Sequence, residues 1–422
     1  VDAMRDGAEI SVSAGVYRLT APLRITNSIA LKSVCGASAT VIEGDGSGRC
    51  VYMTHPTAWL NGFSITKGYS ATGAGVYCRS GLIQDCVISG NQSPPGGEGA
   101  GIGVYCVSGV VQSCSILANT AAVAVARGVG LYAEDSRVDG CRMAYNDGGA
   151  GTVYGLGAYG ARSEFRSCAI TRHTFNQAAA CYGAGLYSLG GLVLNGTIAD
   201  NSVAGNDASV AGLYAAGNAV IRNSVLQGNT KSGSPDNWYD SGAASYSYCC
   251  SVPALPGAGN MTNDPGFWNP AAEDYHLRPL QSPCVDSGSN EAWMAQARDA
   301  DGHQRILAGI VDRGAYEYLK GPLACNFDVA PPAGPAPLSV TLTAVMAGEN
   351  QDQLYCKWDV NNDGAADIQG LGLLCVTQVY SSVGVYSVSL TVSNAAGESV
   401  SCAKTSCVAV GWAHYYVAPS GS

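Results

Sequence analysis

Charged residues are scarce in this chain of 422 residues, because Asp, Glu, Lys and Arg together make up only 13% of it, against about 25% in an average globular protein. Only 22 residues are Lys or Arg, and the formal net charge is -10. A surface that holds a phosphate backbone or an anionic bilayer needs a basic stripe, so nucleic acid and membrane surfaces are poor partners. Long apolar runs are missing too. No segment reaches the ~18 uninterrupted apolar residues of a spanning helix, so we expect no membrane span.

Glycine and cysteine are abundant instead, at 55 and 17 residues. The glycines follow no Gly-X-Y triplet, which excludes a collagen helix, and the chain is too long for a small disulfide-held domain. So many cysteines favour an oxidising exterior over a cytosol, although some could simply be small buried apolar side chains. Because the count is odd, at least one thiol is free or bridges to another molecule.

A Gly-x-Tyr motif returns six times, and its tyrosines are separated by 28, 27, 27, 28 and 27 residues. They are Tyr77, Tyr105, Tyr132, Tyr159, Tyr187 and Tyr214. Three further columns keep step with them. One is small or thiol (Cys86, Cys114, Cys141, Cys168, Gly196, Ser224), one is apolar (Ile88, Ile116, Met143, Ile170, Ile198, Leu226), and one is Asn or His (Asn91, Asn119, Asn146, His173, Asn201, Asn229).

This period of 27–28 residues predicts an all-β fold, a right-handed parallel β-helix. Each coil would hold two or three short strands, and coils would stack about 4.8 Å apart because no coil can bury its apolar face alone. The apolar column should point inwards, and the Asn column should hydrogen-bond along the axis at a corner. A helical repeat is excluded because no 3.6-residue periodicity is present. Residues 1–74 fit the pattern less regularly, so we expect roughly nine or ten coils.

The segment from Asp2 to Tyr17 and a set of motifs near residue 300 resemble bacterial surface proteins with right-handed parallel β-helix repeats. The motifs are Asp264-Pro265-Gly266-Phe267, Ser282-Pro283-Cys284-Val285-Asp286-Ser287-Gly288, Asp299-Ala300-Asp301-Gly302, Arg305 and Asp312-Arg313-Gly314-Ala315-Tyr316-Glu317. The resemblance implies a β-helix over residues 1–250 and a closing segment over 251–320 that has a structural role and no activity. It also implies an extracellular or cell-surface location in a bacterium.

Composition changes after Leu319, where a Pro- and Ala-rich run leads into segments that alternate with period two. Such segments predict a small immunoglobulin-like β-sandwich. The run Ala336-Pro337-Leu338, the pair Trp358-Asp359 and the strand from Gly384 to Val392 resemble a polycystic-kidney-disease-like (PKD) domain. The resemblance implies an extracellular spacer or adhesion module over residues 321–411.

An acidic loop within this module has the spacing of a calcium site. Asp359, Asn361, Asp363 and Asp367 place side-chain oxygens at positions 1, 3, 5 and 9, with Gly364 at position 6. The carbonyl of Ala365 would serve at position 7, as in the first part of an EF-hand loop. Position 12 is Gly370, so the bidentate Glu is missing. We predict that this loop binds Ca²⁺, and the alternative is a solvated acidic turn. We interpret Asp299-Ala300-Asp301-Gly302 as a capped turn more readily than as a second calcium site.

Catalysis has to be considered, because polysaccharide lyases and hydrolases occur on β-helices. A lyase needs clustered carboxylates and a base, and a glycosidase needs two facing carboxylates. Acids in the regular coils are scattered, and only Glu134, Asp135, Asp139 and Glu164 could approach one another. We therefore expect no enzymatic activity, and we interpret His173 as a replacement for Asn in the corner column.

Two columns leave alternatives open. The tyrosines Tyr77, Tyr105, Tyr132, Tyr159 and Tyr187 could bind glycans, because aromatic faces suit pyranose rings; a stack that stiffens one sheet is the alternative we favour. Cys78 and Cys106 lie one coil apart, as do Cys86 and Cys114. That spacing permits a disulfide, and reduced thiols in the core are equally compatible with it.

The last residues, from His414 to Ser422, resemble the stretch that precedes the β-helix opening in the same family. We expect residues 412–422 to start a next repeat or to form an inter-subunit strand, with Tyr415, Tyr416 and Val417 in the assembly contact. An uncapped β-helix end exposes unpaired backbone groups that can pair with another strand, so other copies would join head to tail or as tandem repeats. The expected function is a non-enzymatic extracellular structural protein, a unit of a surface fibre, stalk or adhesin. The alternative is a carbohydrate-binding or lyase-like β-helix protein.

Overall fold

A computed structural model of the chain describes residues 6–204, 207–278, 282–307, 309–318, 323–347, 353–395 and 397–411. The chain divides into two compact units, Val1–Tyr318 and Leu319–Ser422. The first unit is a parallel β-helix of about nine turns, and the second is a two-sheet β-sandwich. Both confirm the fold class that the repeat and the period-two segments predict.

The β-helix unit contains one long sheet in which two ladders of parallel strands are joined by two nine-residue strands. The first ladder, which we call the tyrosine ladder, comprises Leu23–Ile25, Val51–Met53, Val76–Cys78, Val104–Val107, Leu131–Glu134, Ala158–Arg166, Leu186–Leu194, Leu213–Ala216 and Trp238–Asp240. The second comprises Ala8–Val12, Ile29–Ser33, Trp59–Asn61, Gly81–Gln84, Gly109–Gln112, Arg137–Asp139, the same two long strands, Val220–Arg222 and Ser245–Ser247.

Three further sheets complete the coils. A ten-stranded parallel sheet comprises Gly15–Arg18, Thr40–Glu43, Ser64–Thr66, Val87–Ser89, Ser115–Leu117, Arg142–Ala144, Ala169–Thr171, Thr197–Ala199, Val225–Gln227 and Cys250–Ser251. Two four-stranded sheets comprise Glu98–Ala100, Val125–Arg127, Thr152–Tyr154 and Cys181–Tyr182, and Thr174–Phe175, Ser202–Val203, Thr230–Lys231 and Ser234–Pro235, of which the last strand alone is antiparallel.

Residues one repeat apart face each other across neighbouring coils. Ile88 pairs with Ile116, which pairs with Met143, and the register continues through Ile170, Ile198 and Leu226. All six are at most 1% exposed and belong to one apolar core. Strand side chains alternate between interior and surface, so the β-branched and aliphatic columns fill the interior and leave the alternate positions outside.

A column of buried amides, the corner ladder, runs along the axis. The Nδ2 of Asn119 donates to the Ile88 carbonyl at 3.1 Å and to the Oδ1 of Asn146 at 3.0 Å. Its Oδ1 accepts from the backbone N–H of Asn91 at 3.1 Å and from the Nδ2 of Asn91 at 2.9 Å. The same pattern links Asn201 to Asn229 and Asn229 to Asn237. Each coil therefore fixes the position of the next through groups that have no access to water.

His173 occupies one place in the corner ladder. Its Nδ1 lies 2.9 Å from the Oδ1 of Asn201, which can only accept, so Nδ1 carries the proton. Its Nε2 accepts from the Nδ2 of Asn146 at 3.1 Å. Complete burial lowers the pKa of His173 to about 4, against a smaller opposing effect of the Asn201 hydrogen bond. The imidazole is neutral and acts as a longer asparagine.

The glycine of the Gly-x-Tyr motif makes room for this ladder. A Cβ on Gly103 would lie 2.6 Å from the Gly130 carbonyl oxygen and 2.8 Å from the Nδ2 of Asn119. Equivalent clashes would arise at Gly130 with Asn146 and at Gly157 with His173. The motif is thus glycine because the corner amide and the next coil leave no space for a side chain.

The closing segment packs along the outer side of the ten-stranded sheet. It contains the antiparallel pair Phe267–Asn269 and Asp274–Leu277 and the 3₁₀ helices Pro270–Ala272 and Ala292–Gln296. Phe267, Tyr275, Leu277 and Cys284 share an apolar cluster with Ala199, Val225 and Cys250 of that sheet. Arg305 is fully buried, forms a 2.9 Å ion pair with Glu317 and donates to the carbonyls of Asp312, Gly314 and Ala315. This arginine therefore holds the last turn of the segment together.

His276 joins two parts of the closing segment. Its Nδ1 and Nε2 each lie 2.6 Å from a carboxylate oxygen, of Asp274 and Asp301 respectively. Burial alone would lower the pKa of His276, but these hydrogen bonds and charges raise it well above the ordinary value. The imidazolium therefore donates to both aspartates at neutral pH.

The sandwich packs a three-stranded sheet on a five-stranded sheet. The first comprises Ala324–Ala330, Leu338–Ala347 and Cys375–Tyr380, and the second Ala333–Pro335, Tyr355–Asp359, Ile368–Leu371, Gly384–Ser393 and Ser399–Gly411. Trp358 is fully buried at its centre, 5.4 Å from the Phe327 ring and with Nε1 donating to the Leu373 carbonyl at 2.8 Å. Among the residues that the structure describes, no helix has the length and apolarity to cross a membrane.

Removal of one corner amide should destabilise the β-helix. Asn119→Ala leaves the N–H of Asn91 without its acceptor and the Ile88 carbonyl without its Nδ2 donor. It also removes the side-chain bonds from Asn119 to the Nδ2 of Asn91 and to the Oδ1 of Asn146. We expect a loss of about 3 kcal/mol in the free energy of unfolding, because the orphaned groups are buried. Urea denaturation followed by circular dichroism measures it. Asn61→Ala, which removes an exposed amide–carboxylate bond to Asp85, is the matched control and should cost well under 1 kcal/mol. Equal losses in the two variants would contradict the role of the ladder.

His276 should make stability depend on pH. Because its folded-state pKa lies above the unfolded value, its stabilising contribution is complete below about pH 6.5 and disappears as the pH rises through the folded pKa. The native chain should therefore exceed His276→Gln in unfolding free energy most at about pH 6, and the difference should shrink in alkaline buffer. Urea titrations of both proteins over a pH series measure this difference. A difference that grew with pH would contradict the assignment.

Candidate functional site

Eight tyrosine rings form a continuous stack on the outer side of the tyrosine ladder. From Tyr52 to Tyr214, neighbouring ring centroids lie 4.8 to 5.3 Å apart and neighbouring planes are within 11° of parallel. Tyr239 continues the stack at 5.0 Å with a 37° tilt. The Gly-x-Tyr motif misses Tyr52 and Tyr239, because Cys50 and Asn237 stand in the glycine position. Their register with Tyr77 and Tyr214 places them in the same column.

The stacked geometry leaves the ring faces covered. Each inner ring lies between its two neighbours, and the guanidinium of Arg24 lies 4.6 Å from the Tyr52 ring centre at one end. Only ring edges with their hydroxyl groups face outwards, and that of Tyr132 donates to Glu134 at 2.9 Å. Burial, followed by the charges of neighbouring tyrosines, raises the pKa of Tyr187 to about 12. A pyranose could therefore contact the hydroxyl groups of Tyr77, Tyr105, Tyr132, Tyr159 and Tyr187, but it could not stack on the faces of their rings. The geometry favours the interpretation in which the stack stiffens the sheet.

The predicted calcium loop follows the strand Tyr355–Asp359. Asp359 is 7% exposed, and its two carboxylate oxygens accept the N–H groups of Asp363 and Gly364 at 3.1 and 2.8 Å. Gly364 has a φ of +94°, which suits the residue without a side chain. Asn361 accepts the N–H of Asp363 at 2.9 Å, and Asp367 accepts that of Val360 at 2.8 Å. The side-chain oxygens of the loop thus accept hydrogen bonds from the backbone N–H groups of the loop itself.

These oxygens do not yet converge as a closed coordination shell. Although all three carboxylates are described, those of Asp359, Asp363 and Asp367 do not form a group with ligand atoms within 4.8 Å of one another. Ala365 donates its N–H to Asp363 at 2.9 Å. Each carboxylate retains lone pairs beyond these hydrogen bonds, so the residue types fit Ca²⁺. The loop would have to bring the three carboxylates closer together to bind it.

Asp299, Asp301 and His303 do bring ligand atoms within 4.8 Å of one another. However, Asp299 uses Oδ1 to accept the N–H groups of Asp301 and His303 at 3.0 and 2.8 Å, and Oδ2 to accept that of Glu317 at 3.0 Å. Asp301 is bound to His276. The segment is a capped turn that orders the closing segment, which is the interpretation the sequence favours.

The acids that could have formed a catalytic pair are neutralised by arginines. Arg162 lies 2.7 Å from Glu134 and 2.8 Å from Asp135. Ion pairs of 2.7 and 2.8 Å also join Arg137 to Asp139 and Arg166 to Glu164. The predicted assembly residues Tyr415, Tyr416 and Val417 lie outside the described residues.

Comparison with known proteins identifies the second unit. The PKD domain family model matches residues 326–406. The crystal structure of the PKD1 domain of Vibrio anguillarum Epp is similar at 23% identity, over 22% of this chain and 98% of that domain, with a TM-score of 0.17. No curated protein matches the chain. The architecture is a parallel β-helix followed by a PKD-like sandwich, and it fits an extracellular structural or adhesin-like role.

Proposed function

We propose that this chain is a non-enzymatic structural unit of an extracellular fibre, stalk or adhesin that binds further copies of itself head to tail or as tandem repeats. The observation that carries the proposal is the outer edge of the first coil that the structure describes. Within the described residues, Ala8–Val12 and Gly15–Arg18 pair only with strands of the second coil. A strand edge of this kind is a template for another strand.

The outer edge of this coil has defined hydrogen-bonding positions. Gly15 and Leu19 donate their N–H groups to the second coil, at 2.9 and 2.8 Å. In a parallel ladder alternate residues bond to opposite neighbours, so Val16 and Arg18 direct theirs to the open side. Val16 and Tyr17 are 51% and 41% exposed, which is high for large apolar side chains. An incoming strand would thus gain both backbone bonds and apolar contact.

The segment that we assign to this edge is residues 412–422 of a neighbouring copy. Its sequence, with Tyr415, Tyr416 and Val417, has the aromatic and β-branched character of a strand. It follows directly in sequence on the last described strand, Ser399–Gly411.

The interior supports a structural role over the carbohydrate-degrading alternative. Large apolar side chains fill the coils, and the neighbouring acids Glu134 and Asp135 share Arg162. A glycosidase or lyase needs acids free to donate or accept protons at the substrate. Glycan binding through the tyrosine hydroxyl groups is compatible with an adhesin, and it would require no catalytic activity.

Calcium would have a structural part in this proposal. Asp359 ends a central strand of the sandwich and Asp367 precedes Ile368–Leu371, its neighbour in the sheet. An ion held by Asp359, Asn361, Asp363, Ala365 and Asp367 would stiffen the turn between these two strands. Extracellular calcium modules bind with Kd values of about 10⁻⁴–10⁻³ M.

Self-association should depend on the N–H group of Val16. Val16→Pro removes that group without touching those that bond to the second coil, so it should abolish association. Val16→Thr keeps the N–H and is the matched control, which should associate like the native chain. Sedimentation velocity over a concentration series measures this, and removal of residues 412–422 should have the same effect as Val16→Pro. A native chain that stays monomeric at all concentrations would contradict the head-to-tail proposal.

Calcium should stabilise the sandwich. In calorimetric titrations we expect binding to the native chain in the range given above, at least tenfold weaker binding to Asp363→Asn, and a higher melting temperature with calcium. Asp328→Asn, which changes an exposed aspartate on another strand of the sandwich, should bind like the native chain. No heat and no change in melting temperature at millimolar calcium would show that the loop is only an acidic turn.

A further inference from the structure

Five thiols of the β-helix unit occupy one repeated position. The Sγ atoms of Cys86, Cys114, Cys141, Cys168 and Cys249 each donate to the backbone carbonyl two residues earlier, at 3.1, 3.1, 3.3, 3.2 and 3.4 Å. Ser224 stands in the same column and donates in the same way at 2.8 Å. A thiol here does what a serine hydroxyl does, so its role is complete in the reduced state.

Two cysteines of the sandwich have a different environment. Cys325 lies on Ala324–Ala330, at the edge of the three-stranded sheet, and Cys402 lies on Ser399–Gly411 in the five-stranded sheet. Both are half-buried and face the apolar core between the sheets. Their Sγ atoms are 2.7 Å apart, well inside the ~3.5–4.0 Å at which heavy atoms without a bond pack. The Sγ of Cys325 also donates to the carbonyl oxygen of Leu390 at 3.8 Å.

We propose that Cys325 and Cys402 are oxidised to a disulfide that joins the two sheets of the sandwich. The two thiols lose two protons and two electrons as the S–S bond forms. A disulfide-bearing thiol oxidant, of the small-molecule or oxidoreductase class, accepts both electrons and is cleaved to its two thiols. Such oxidants operate in the extracellular compartment that the fold fits. Cys86, Cys114, Cys141 and Cys168 stay reduced, because they are at most 1% exposed and an oxidant cannot reach them.

The position of this bond suggests what it does. Cys325 is the second residue of the first strand of the sandwich, and Cys402 is on its last strand. A pull between the chain ends of the sandwich therefore enters close to one cysteine and leaves through the strand of the other. The disulfide carries that force directly, and it prevents the chain between the two cysteines, which are 77 residues apart, from extending. This mechanical role rests on the proposed function as a load-bearing fibre or stalk, whereas the bond itself does not.

Peptide mapping without reduction tests the bond. The native chain, exposed to oxidised glutathione, is unfolded with an alkylating agent present and digested. We expect one peptide pair linked through Cys325 and Cys402, and alkylated Cys86, Cys114, Cys141 and Cys168. Alkylation of both Cys325 and Cys402, or a link from either of them to Cys356, would overturn the proposal. Cys402→Ser should lower the melting temperature of the sandwich by about 10 °C in oxidising buffer and leave it unchanged in reducing buffer. Cys407→Ser, on the same strand, is the control and should show no such redox dependence.

Single-molecule stretching of the full chain tests the load-bearing role. Addition of a reductant should lengthen the extension released when the sandwich unfolds by on the order of 270 Å, the contour of the locked segment. The same release should occur in Cys402→Ser without reductant. A linked peptide pair with no difference in extension would overturn the mechanical role and leave the bond in place. A linked pair with a difference in extension, in a chain that does not self-associate, would contradict the head-to-tail proposal alone.

Discussion

The in-register stacking of one coil on the next is the constraint on which the rest of the β-helix depends. Because equivalent residues lie directly opposite, each column of the sequence becomes a continuous physical row: aliphatic in the core, amide at one corner, thiol at another, aromatic outside. A buried amide row cannot tolerate a gap, since each member supplies the partners of the next. The glycine beside it and the neutral His173 within it are consequences of the same constraint.

Much of this arrangement could be predicted because it is local to the repeat. A period of 27–28 residues identifies the columns, and a strand period of two decides which face inwards. The motif does not identify Tyr52 and Tyr239 as members of the tyrosine stack, because their coils lack its glycine. The position of the closing segment along the side of the ten-stranded sheet could not be predicted either, since it depends on partners far away in the sequence: Tyr275 donates to Asp200, and the N–H of Ala315 donates to Thr197.

The candidate sites show the same division between local and distant contacts. Spacing alone located the oxygen-rich loop at Asp359, because its members are within nine residues, yet spacing could not show that those oxygens turn to backbone N–H groups. The proximity of Cys325 and Cys402 depends on how the first and last strands of a sandwich meet. No repeat or motif encodes it. The ion pairs of Arg162 with Glu134 and Asp135 and the covered tyrosine faces agree with a chain whose contacts serve stacking.

The central claim is that stacking continues from one copy to the next across the outer edge of the first described coil. Electron cryomicroscopy of the assembled material tests it most directly. The account predicts that the strand spacing of about 4.8 Å along the β-helix axis runs unbroken through the junction, with residues 412–422 of one copy beside Gly15–Arg18 of the next. Junctions in which the first coil has no strand beside it would contradict the claim.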